Sequence, residues 1–266
     1  MKAIVSDIHA NMAAAEAVLK DIRNFNISDE NIINLGDIVG YGPQPVEAID
    51  LSMTFKINLM GNHDEATVFE PMGFNFRALT AIRWTKKKLE TGILHPSNKK
   101  RMQFLRDLRI TYKEDNVFFV HGSPREPTTE YILRGDVEDA NVGRNETKMN
   151  EIFAKFDHIC CVGHTHIPCM IEQIPDDKAP CGFRYLYKSE KDLDYEFTAA
   201  PGKKYCINAG AVGQPRDGDT RASYILWDGD TFRWRRVEYD LRITCDLIRK
   251  VKELDEYNAE RLELGI

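Results

Sequence analysis

Five short polar motifs rich in aspartate and histidine follow one another along the 266-residue chain. They are Asp7-Ile8-His9, Gly36-Asp37, Gly61-Asn62-His63-Asp64, His121-Gly122 and Gly163-His164-Thr165-His166. Carboxylates, an amide and up to five imidazoles are the side chains that bind divalent transition metals. Because these groups are too numerous for one ion and sufficient for two, the residues predict a two-metal hydrolase.

Each motif closes a short apolar run, and the runs read AIVS, IINL, INLM, VFFV and HICCV. Runs this short and rich in β-branched residues are typical of strands. The carboxyl ends of parallel strands meet at one edge of an α/β sheet, where sites form. Residues two apart on a strand point the same way. We therefore expect Asp7 and His9 to hold one ion together, with His164 and His166 forming a similar pair.

Composition places the chain among soluble globular proteins, with 42% hydrophobic and 29% charged residues. The formal net charge of −6 argues against a stable complex with nucleic acid through a basic surface. No signal-peptide pattern and no membrane-spanning apolar run occurs, so we expect a cytoplasmic protein without a membrane partner. The cysteines would then stay reduced, and adjacent Cys160 and Cys161 would point to opposite faces of a strand.

The rest of the chain alternates strand and helix at first and then changes character. Asn11 is a candidate cap for an alanine-rich helix, and Pro45 suits the first turn of another. Residues 65–112 contain two helical patterns, which we interpret as a helical insertion lying over the strand ends, where it could cap the site. Residues 222–239 predict a hairpin, and residues 240–262 predict one charged amphipathic helix.

The five motifs, in this order, resemble the pattern of the calcineurin-like metallophosphoesterases, which runs DxH, GD, GNH[DE], H and GHxH. The resemblance extends from Met1 to about Asp240. Segments 36–45, 74–89, 121–127 and 207–224 are similar to a bacterial and archaeal branch of small phosphoesterases, often labelled diadenosine-tetraphosphatase-like or protein-phosphatase-like. Where that branch more usually reads Pro-Gly-Ser, this chain has Ala209-Gly210-Ala211, outside the ligand set.

The resemblance implies an α/β fold, namely a four-layer αββα sandwich of two mixed β-sheets. A single domain would span residues 1–266, with the helical cap insertion at residues 65–112 inside it.

The resemblance also implies a ligand set for two divalent ions. The first ion would take Asp7, His9, Asp37 and His166, and the second would take Asp37, Asn62, His121 and His164. Asp37 would bridge the ions, which its two carboxylate oxygens allow. Nitrogen and oxygen ligands with four histidines favour Mn, Fe, Zn, Co or Ni over Mg or Ca. Among these, Mn or Fe is the expected choice.

The implied reaction is hydrolysis of a phosphate ester by a hydroxide that bridges the two metals. His63, beside Asn62 but not a ligand in the family, is the candidate general acid. Asp64 is its candidate orienting partner, or else the cap of the next helix. Tyr41 is expected to line the pocket, and Arg125 and Arg216 are candidates for binding a second phosphate.

The expected substrate is a small phosphorylated molecule, nucleotide-like, cleaved as a phosphodiester or a dinucleoside polyphosphate. Two alternatives on the same chemistry are a serine/threonine-type protein phosphatase and a phosphomonoesterase. A non-catalytic scaffold on the same fold is a more remote alternative, because no ligand of the motif set is missing. The sequence does not predict the oligomeric state.

Overall fold

The computed structural model describes residues 1–90, 96–138, 145–174, 182–186 and 194–266. Within these ranges, twelve strands form two six-stranded sheets. The first sheet runs, in spatial order, β3 (Ile57–Asn58), β2 (Ile32–Asn34), β1 (Lys2–Val5), β11 (Ala222–Asp228), β12 (Thr231–Val237) and β9 (Asp194–Thr198). The second runs β4 (Thr111–Glu114), β5 (Val117–Val120), β6 (Ile159–Val162), β10 (Tyr205–Asn208), β7 (Cys169–Gln173) and β8 (Phe183–Leu186).

Helices connect and flank the strands. They are α1 (Met12–Arg23), α2 (Pro45–Ser52), α3 (Asn62–Val68), α4 (Phe76–Glu90), α5 (Pro96–Arg106), α6 (Gly135–Glu138), α7 (Glu146–Phe153), α8 (Leu241–Lys250) and α9 (Tyr257–Leu264), with a short 3₁₀ turn at Asp29–Asn31.

Both sheets are mixed, and each contains a parallel core. β1, β2 and β3 are parallel to one another in the first sheet, and β5, β6 and β10 are parallel in the second. The remaining neighbours pair antiparallel, including the predicted hairpin of β11 and β12. Parallel neighbours bring their carboxyl ends to one edge, and five of these six strands are followed by the polar motifs.

Alternating side chains divide the interior into three apolar layers. On β1, Ile4 faces the second sheet, whereas Ala3 packs with the helices outside the first sheet. On β6, Cys161 lies between the sheets and Cys160 packs against α7, as the alternation of strand side chains predicts. Helix, sheet, sheet and helix therefore stack in four layers, and the predicted αββα sandwich is confirmed.

Local signals account for the helix boundaries near the site. The Asn11 side chain accepts a hydrogen bond from the Ala14 N–H at 3.2 Å and caps α1, and Pro45 opens α2.

The prediction of one helix over residues 240–262 was wrong, because the chain leaves helical geometry at Val251, where φ is −99° and ψ is 107°. The resulting pair, α8 and α9, folds back on itself.

The helical segment predicted at residues 65–112 contains α4 and α5, with residues 91–95 outside the described part. Ala81 and Trp84 of α4 pack on the apolar faces of α8 and α9. In the loop before α4, Phe74 reaches the His63 ring, with centroids 5.2 Å apart. The segment thus contacts the flank of the site through this loop, and its action as a cap stays a prediction. In the described ranges, no helix combines the length and apolarity needed to cross a membrane.

Candidate metal centre

The chain leaves its strands in left-handed backbone conformations at the motif residues or shortly after them. Positive φ values of 47° to 64° occur at Asp7, His9, Ala10, Asp37, Tyr41, His164 and His166. For a residue with a β-carbon this region costs roughly 1–2 kcal/mol. Only Asn26 and Asp115, among the other described non-glycine residues, share it. Backbone strain is therefore concentrated at the motifs, which is typical of functional sites.

Two motif glycines allow close approaches at the centre, Gly61 between neighbouring strands of the first sheet and Gly163 between the two sheets. A β-carbon on Gly61 would lie 2.0 Å from Asp37 Oδ1, and one on Gly163 would lie 2.0 Å from Ser6 Oγ. Real β-carbons do not tolerate such distances, so any side chain here would push the ligands apart. The glycines of the third and fifth motifs are thus required by packing around the acidic residues.

The first group of candidate ligands combines Asp7, His9, Asp37 and His166, all buried. His166 Nε2 lies 3.1 Å from Asp7 Oδ1 and 3.2 Å from His9 Nε2. His9 Nε2 lies 3.6 Å from Asp37 Oδ2. These four side chains match the set expected for the first ion.

The second group combines Asp37, His121 and His164, and Asp37 thus belongs to both groups. His121 Nε2 lies 3.4 Å from Asp37 Oδ2 and 3.3 Å from Asn62 Oδ1. The rings of His121 and His164 lie 4.9 Å apart. The structure therefore brings together all seven residues predicted as metal ligands, with the shared carboxylate in the predicted place.

Each of the four imidazoles has one nitrogen in contact with a backbone carbonyl oxygen. The pairs are His9 Nδ1 with Val39 O at 3.0 Å, His121 Nδ1 with Leu35 O at 3.1 Å, His166 Nδ1 with Gln214 O at 2.5 Å, and His164 Nε2 with Thr129 O at 3.1 Å. A carbonyl can only accept, so these nitrogens donate, and in the neutral form of each ring the other nitrogen keeps its lone pair. Such carbonyl contacts orient metal-binding histidines.

The converging lone pairs provide a test of whether a cation fits. His9 Nε2 and His166 Nε2 face each other at 3.2 Å, and the buried Asp7 Oδ1 accepts no hydrogen bond from the described residues. Electron-rich atoms packed this closely repel one another unless a positive charge lies among them. The donor set therefore fits a divalent transition ion.

Electrostatics favours the ligand-competent protonation states of the two carboxylates and of three of the four imidazoles. Burial acts to raise the pKa of Asp7 and Asp37, but the neighbouring imidazoles outweigh it and lower both values. Burial lowers the pKa of His9 and of His166, and brings the pKa of His164 to about 3. Charged carboxylates and neutral imidazoles are the forms that bind metal.

His121 responds in the opposite direction. Burial acts to lower its pKa, but the adjacent carboxylate of Asp37 raises that pKa to about 9. The shared carboxylate thus creates a local field that stabilises positive charge.

His63 lies beside the ligand groups in an aromatic enclosure. Its ring centroid is 4.5 Å from that of Tyr41 and 5.2 Å from that of Phe74. Nδ1 packs against Gly40, where an added β-carbon would lie 2.3 Å away. Burial lowers the pKa of His63 to about 4, although the charge of Asp37 acts to raise it. The ring is held by packing on the flank of the cluster, and Nε2 is the nitrogen left to meet a ligand.

Asp64 binds backbone amides and does not orient His63. Its carboxylate accepts hydrogen bonds from the N–H groups of Ile38 at 3.0 Å, Val39 at 3.2 Å and Gly61 at 3.1 Å. Asp64 thereby closes the first turn of α3 and fixes the loop after Asp37. The interpretation of Asp64 as the partner of His63 is replaced by its alternative, a helix cap.

The three residues predicted to bind substrate have different surroundings. The ring of Tyr41 lies 4.8 Å from that of His9, so Tyr41 lines the centre. Arg216 donates its backbone N–H to the carbonyl of His166 at 3.4 Å, next to the cluster. The Arg125 guanidinium is instead paired with Glu130 and Glu151, each at 2.5 Å. Because two carboxylates neutralise it, the structure does not support phosphate binding by Arg125.

Sequence reasoning missed three residues beside the centre. The ring of Tyr131 stacks on His164 with centroids 3.8 Å apart, and Phe74 closes one side of His63. Arg261 of α9 extends to the ring of Tyr41. The first two occupy loops near motifs, which is a weak signal, whereas Arg261 lies within a charged helix and carries no local signal.

The structure and sequence match known proteins over almost the whole chain. Residues 1–231 match the sequence profile of the calcineurin-like phosphoesterase superfamily domain. An uncharacterized protein of Methanocaldococcus jannaschii is 34% identical over 275 residues, which cover 100% of this chain and 98% of that protein. The crystal structure of a metallophosphoesterase from Sphaerobacter thermophilus is 35% identical, with a TM-score of 0.77, over 99% of this chain and 98% of the other.

A hypothetical protein from Pyrococcus horikoshii shares the fold at 22% identity, with a TM-score of 0.68 over 100% of this chain and 98% of that one. The two-sheet sandwich with its buried Asp/His cluster therefore belongs among the metallophosphoesterases. More specifically, the chain belongs to the calcineurin-like phosphoesterase superfamily, as its five motifs predicted.

Proposed function

We propose that this protein is a dinuclear metal-dependent phosphoesterase that hydrolyses small phosphodiesters or dinucleoside polyphosphates. The observation that carries the proposal is the position of Asp37, whose carboxylate belongs to two groups of buried ligands at once. One carboxylate shared by two imidazole groups suits a pair of ions whose charges it partly neutralises.

The geometry suggests a role for each residue of the site. When bound, the two ions would supply positive charge to the phosphate oxygens and a water of lowered pKa as the nucleophile. Asp7, Asp37, Asn62 and the four imidazoles would hold the ions. Arg216 places a guanidinium beside the cluster, where it can bind a phosphate oxygen.

His63 is the proposed proton donor to the leaving oxygen. Its Nδ1 is packed against Gly40, so Nε2 carries the proton that is transferred. Burial lowers the pKa of His63 to about 4, so the ring is neutral in the free protein near neutral pH. The negative charge of a bound phosphate ester would raise that pKa, so the ring would gain its proton when the substrate binds.

The enclosure of the site favours a small substrate. His63 is 3% exposed, and Asp7 and His121 are fully buried. Phe74 and Tyr41 flank His63 on two sides. A narrow aromatic-sided site suits a nucleotide-like ligand better than a folded phosphoprotein, and the helical segment of residues 65–112 would then act as its cap.

A substrate panel on manganese-loaded protein tests the proposal. Bis-p-nitrophenyl phosphate, p-nitrophenyl phosphate, diadenosine tetraphosphate and a phosphopeptide are compared at equal concentration. We expect hydrolysis of the diester and the dinucleotide, and loss of activity after chelation with EDTA and dialysis. Asp37→Asn is the matched variant that removes the shared charge while preserving size.

Each outcome has a defined meaning. Preference for the phosphopeptide or for p-nitrophenyl phosphate would replace the proposal with the protein phosphatase or the phosphomonoesterase alternative. Undiminished activity without metal contradicts a metal-dependent reaction. Full metal content with no turnover of any phosphate ester would indicate the non-catalytic scaffold.

A further inference from the structure

Two arginines from distant parts of the chain converge on one tyrosine at the rim of the metal centre. Arg216, in the loop after β10, and Arg261, on α9, each place the guanidinium carbon 5.8 Å from the ring centroid of Tyr41. Arg216 Nη2 also lies 3.5 Å from the Tyr41 hydroxyl. Tyr41 thus connects the two guanidinium groups.

Neither guanidinium forms an ion pair with a side-chain carboxylate in the described part of the chain. Arg216 donates from Nη2 to the Gln214 amide oxygen at 2.8 Å, and Arg261 donates from Nε to the backbone oxygen of Ile266 at 2.8 Å. Burial and the charge of Arg216 both lower the pKa of Arg261. The guanidinium of Arg125, by contrast, is paired with two side-chain carboxylates. Two guanidinium groups that reach the same tyrosine ring, neither paired with a side-chain carboxylate, form a site that attracts an anion.

The pair lies next to the proposed reaction centre. The ring of Tyr41 is 4.8 Å from that of His9, which belongs to the first ligand group. The backbone N–H of Arg216 donates to the carbonyl oxygen of His166 at 3.4 Å, and His166 belongs to the same ligand group. A ligand held at the metal cluster would therefore extend directly toward the two guanidinium groups.

We propose that Arg216 and Arg261 form a subsite for a second phosphate group, so that the substrate is a nucleoside polyphosphate or another ester carrying linked phosphates. This inference rests on the proposed function, because the first phosphate occupies the metal centre. A planar guanidinium binds phosphate oxygens through paired N–H donors, and two of them suit a group with several anionic oxygens.

Arg261 lies beyond the region described by the family profile, which ends at residue 231. The element that carries it, α9, packs through Ala259 and Leu262 against α8 and against Ala81 of α4. The second phosphate would thus be recognised by a C-terminal helix that lies outside the part of the chain matched by the profile. The subsite therefore acts on substrate choice rather than on the common chemistry.

Calorimetric binding of inorganic tripolyphosphate and orthophosphate to manganese-loaded protein tests the subsite without turnover. For Arg261→Met we expect tripolyphosphate affinity to fall by roughly tenfold or more, as for loss of a charge-assisted hydrogen bond. Orthophosphate affinity should change less than about threefold, because one phosphate reaches only the metal centre. Arg261→Lys, which keeps the charge, should recover part of the loss. Arg242→Met on α8, which removes an exposed arginine paired with Asp240, is the matched control.

Modification of the unaltered protein with phenylglyoxal provides a second measurement that needs no variant. Mass spectrometry should show that tripolyphosphate protects Arg216 and Arg261 from the reagent, while orthophosphate leaves Arg261 reactive. Equal loss of both affinities in Arg261→Met, or no protection of Arg261, overturns the subsite. Absence of hydrolysis with tripolyphosphate binding intact would instead contradict the proposed function and leave the subsite standing.

Discussion

His63 lies edge-on to His9, with ring centroids 4.9 Å apart and an angle of 81° between the planes. Asn62, its neighbour in sequence, directs Oδ1 toward His121 Nε2 at 3.3 Å. The two adjacent side chains therefore diverge, one toward the ligand group and the other along its flank. This divergence is the geometry that the proposed roles require, with Asn62 as a metal ligand and His63 as a proton donor.

His63→Ala should keep both metal ions and lose turnover. General acid catalysis typically contributes about 10²–10⁴-fold, so we expect a loss of roughly 10²-fold with a poor leaving group such as an alkoxide. The loss should be smaller with p-nitrophenolate, which departs without a proton. Steady-state rates with the two leaving groups, together with elemental analysis, check this. Loss of metal, or equal slowing with both leaving groups, contradicts it.

Asp64→Asn is the companion variant, because the Asp64 carboxylate binds the N–H groups of Ile38, Val39 and Gly61. The substitution should loosen the loop that positions Asp37. We expect a lower melting temperature and an equal reduction in rate with both leaving groups. A leaving-group dependence like that of His63→Ala would restore the orienting role for Asp64.

Metal content should distinguish the shared carboxylate from the unshared one. Asp37→Ala removes a ligand from both groups, so both ions should be lost. Asp7→Ala removes a ligand from the first group and should chiefly weaken that ion. Elemental analysis after dialysis, with native protein binding two ions per chain, provides the measurement. One ion in the native protein, or two in Asp37→Ala, is incompatible with the proposed sharing.

Two arginines near the motifs should behave differently when they are replaced by methionine. Arg216→Met should raise KM by roughly tenfold, since a guanidinium that binds phosphate is typically worth one charge-assisted hydrogen bond. Arg125→Met should change KM less than about threefold and lower stability, because its partners are Glu130 and Glu151. Steady-state kinetics and thermal melts on both variants show which arginine binds phosphate and which one stabilises the fold. The reverse pattern would restore Arg125 as a phosphate-binding residue.

Acid stability should depend on Asp21, which connects α1 to the first sheet. Its carboxylate binds the Arg235 guanidinium and accepts a hydrogen bond from the Tyr224 hydroxyl at 2.7 Å. Burial acts to raise the pKa of Asp21, but these partners outweigh it and lower that pKa. A depressed pKa in the folded state contributes stability above the unfolded pKa and loses it as the pH falls through the folded pKa.

Asp21→Asn should therefore lower the free energy of unfolding by about 1–3 kcal/mol near pH 7. The difference from native protein should shrink as the pH falls below about 4, the unfolded pKa of an aspartate. Urea titrations at several pH values measure both effects. A difference that stays constant down to pH 3 would show that the ionised form of Asp21 is not the source.

The sequence predicted the strands and the residues that gather at their ends. Short β-rich runs and the alternation of side chains along a strand are local properties. They were therefore sufficient to predict the strands β1 and β6 and the opposite faces of Cys160 and Cys161. The family resemblance supplied the order of layers, and the structure and comparisons confirm it. Ligand types and spacing paired Asp7 with His9, and the family resemblance placed His166 in the same predicted group.

Features that depend on contacts between distant segments could not be predicted from the neighbouring sequence. Asp64 follows His63 in sequence, but its hydrogen-bond partners lie in the loop after Asp37. The break at Val251 has no glycine or proline to mark it, since packing of α9 against α8 determines it. Arg261 resembles any solvated helical arginine until α9 is placed beside Tyr41.

The pairing of β1 with β11 has a consequence for how the protein folds. Ile4 pairs with Ile225, and the N–H of Gly213 donates to the carbonyl of Asp7 at 2.8 Å. Contacts between residues so far apart in sequence must close a long loop, which slows folding. The conformation of Asp7 is thus complete only after the chain near residue 225 has docked. Metal uptake should therefore accompany a late phase of refolding and report that the central strands of the first sheet have assembled.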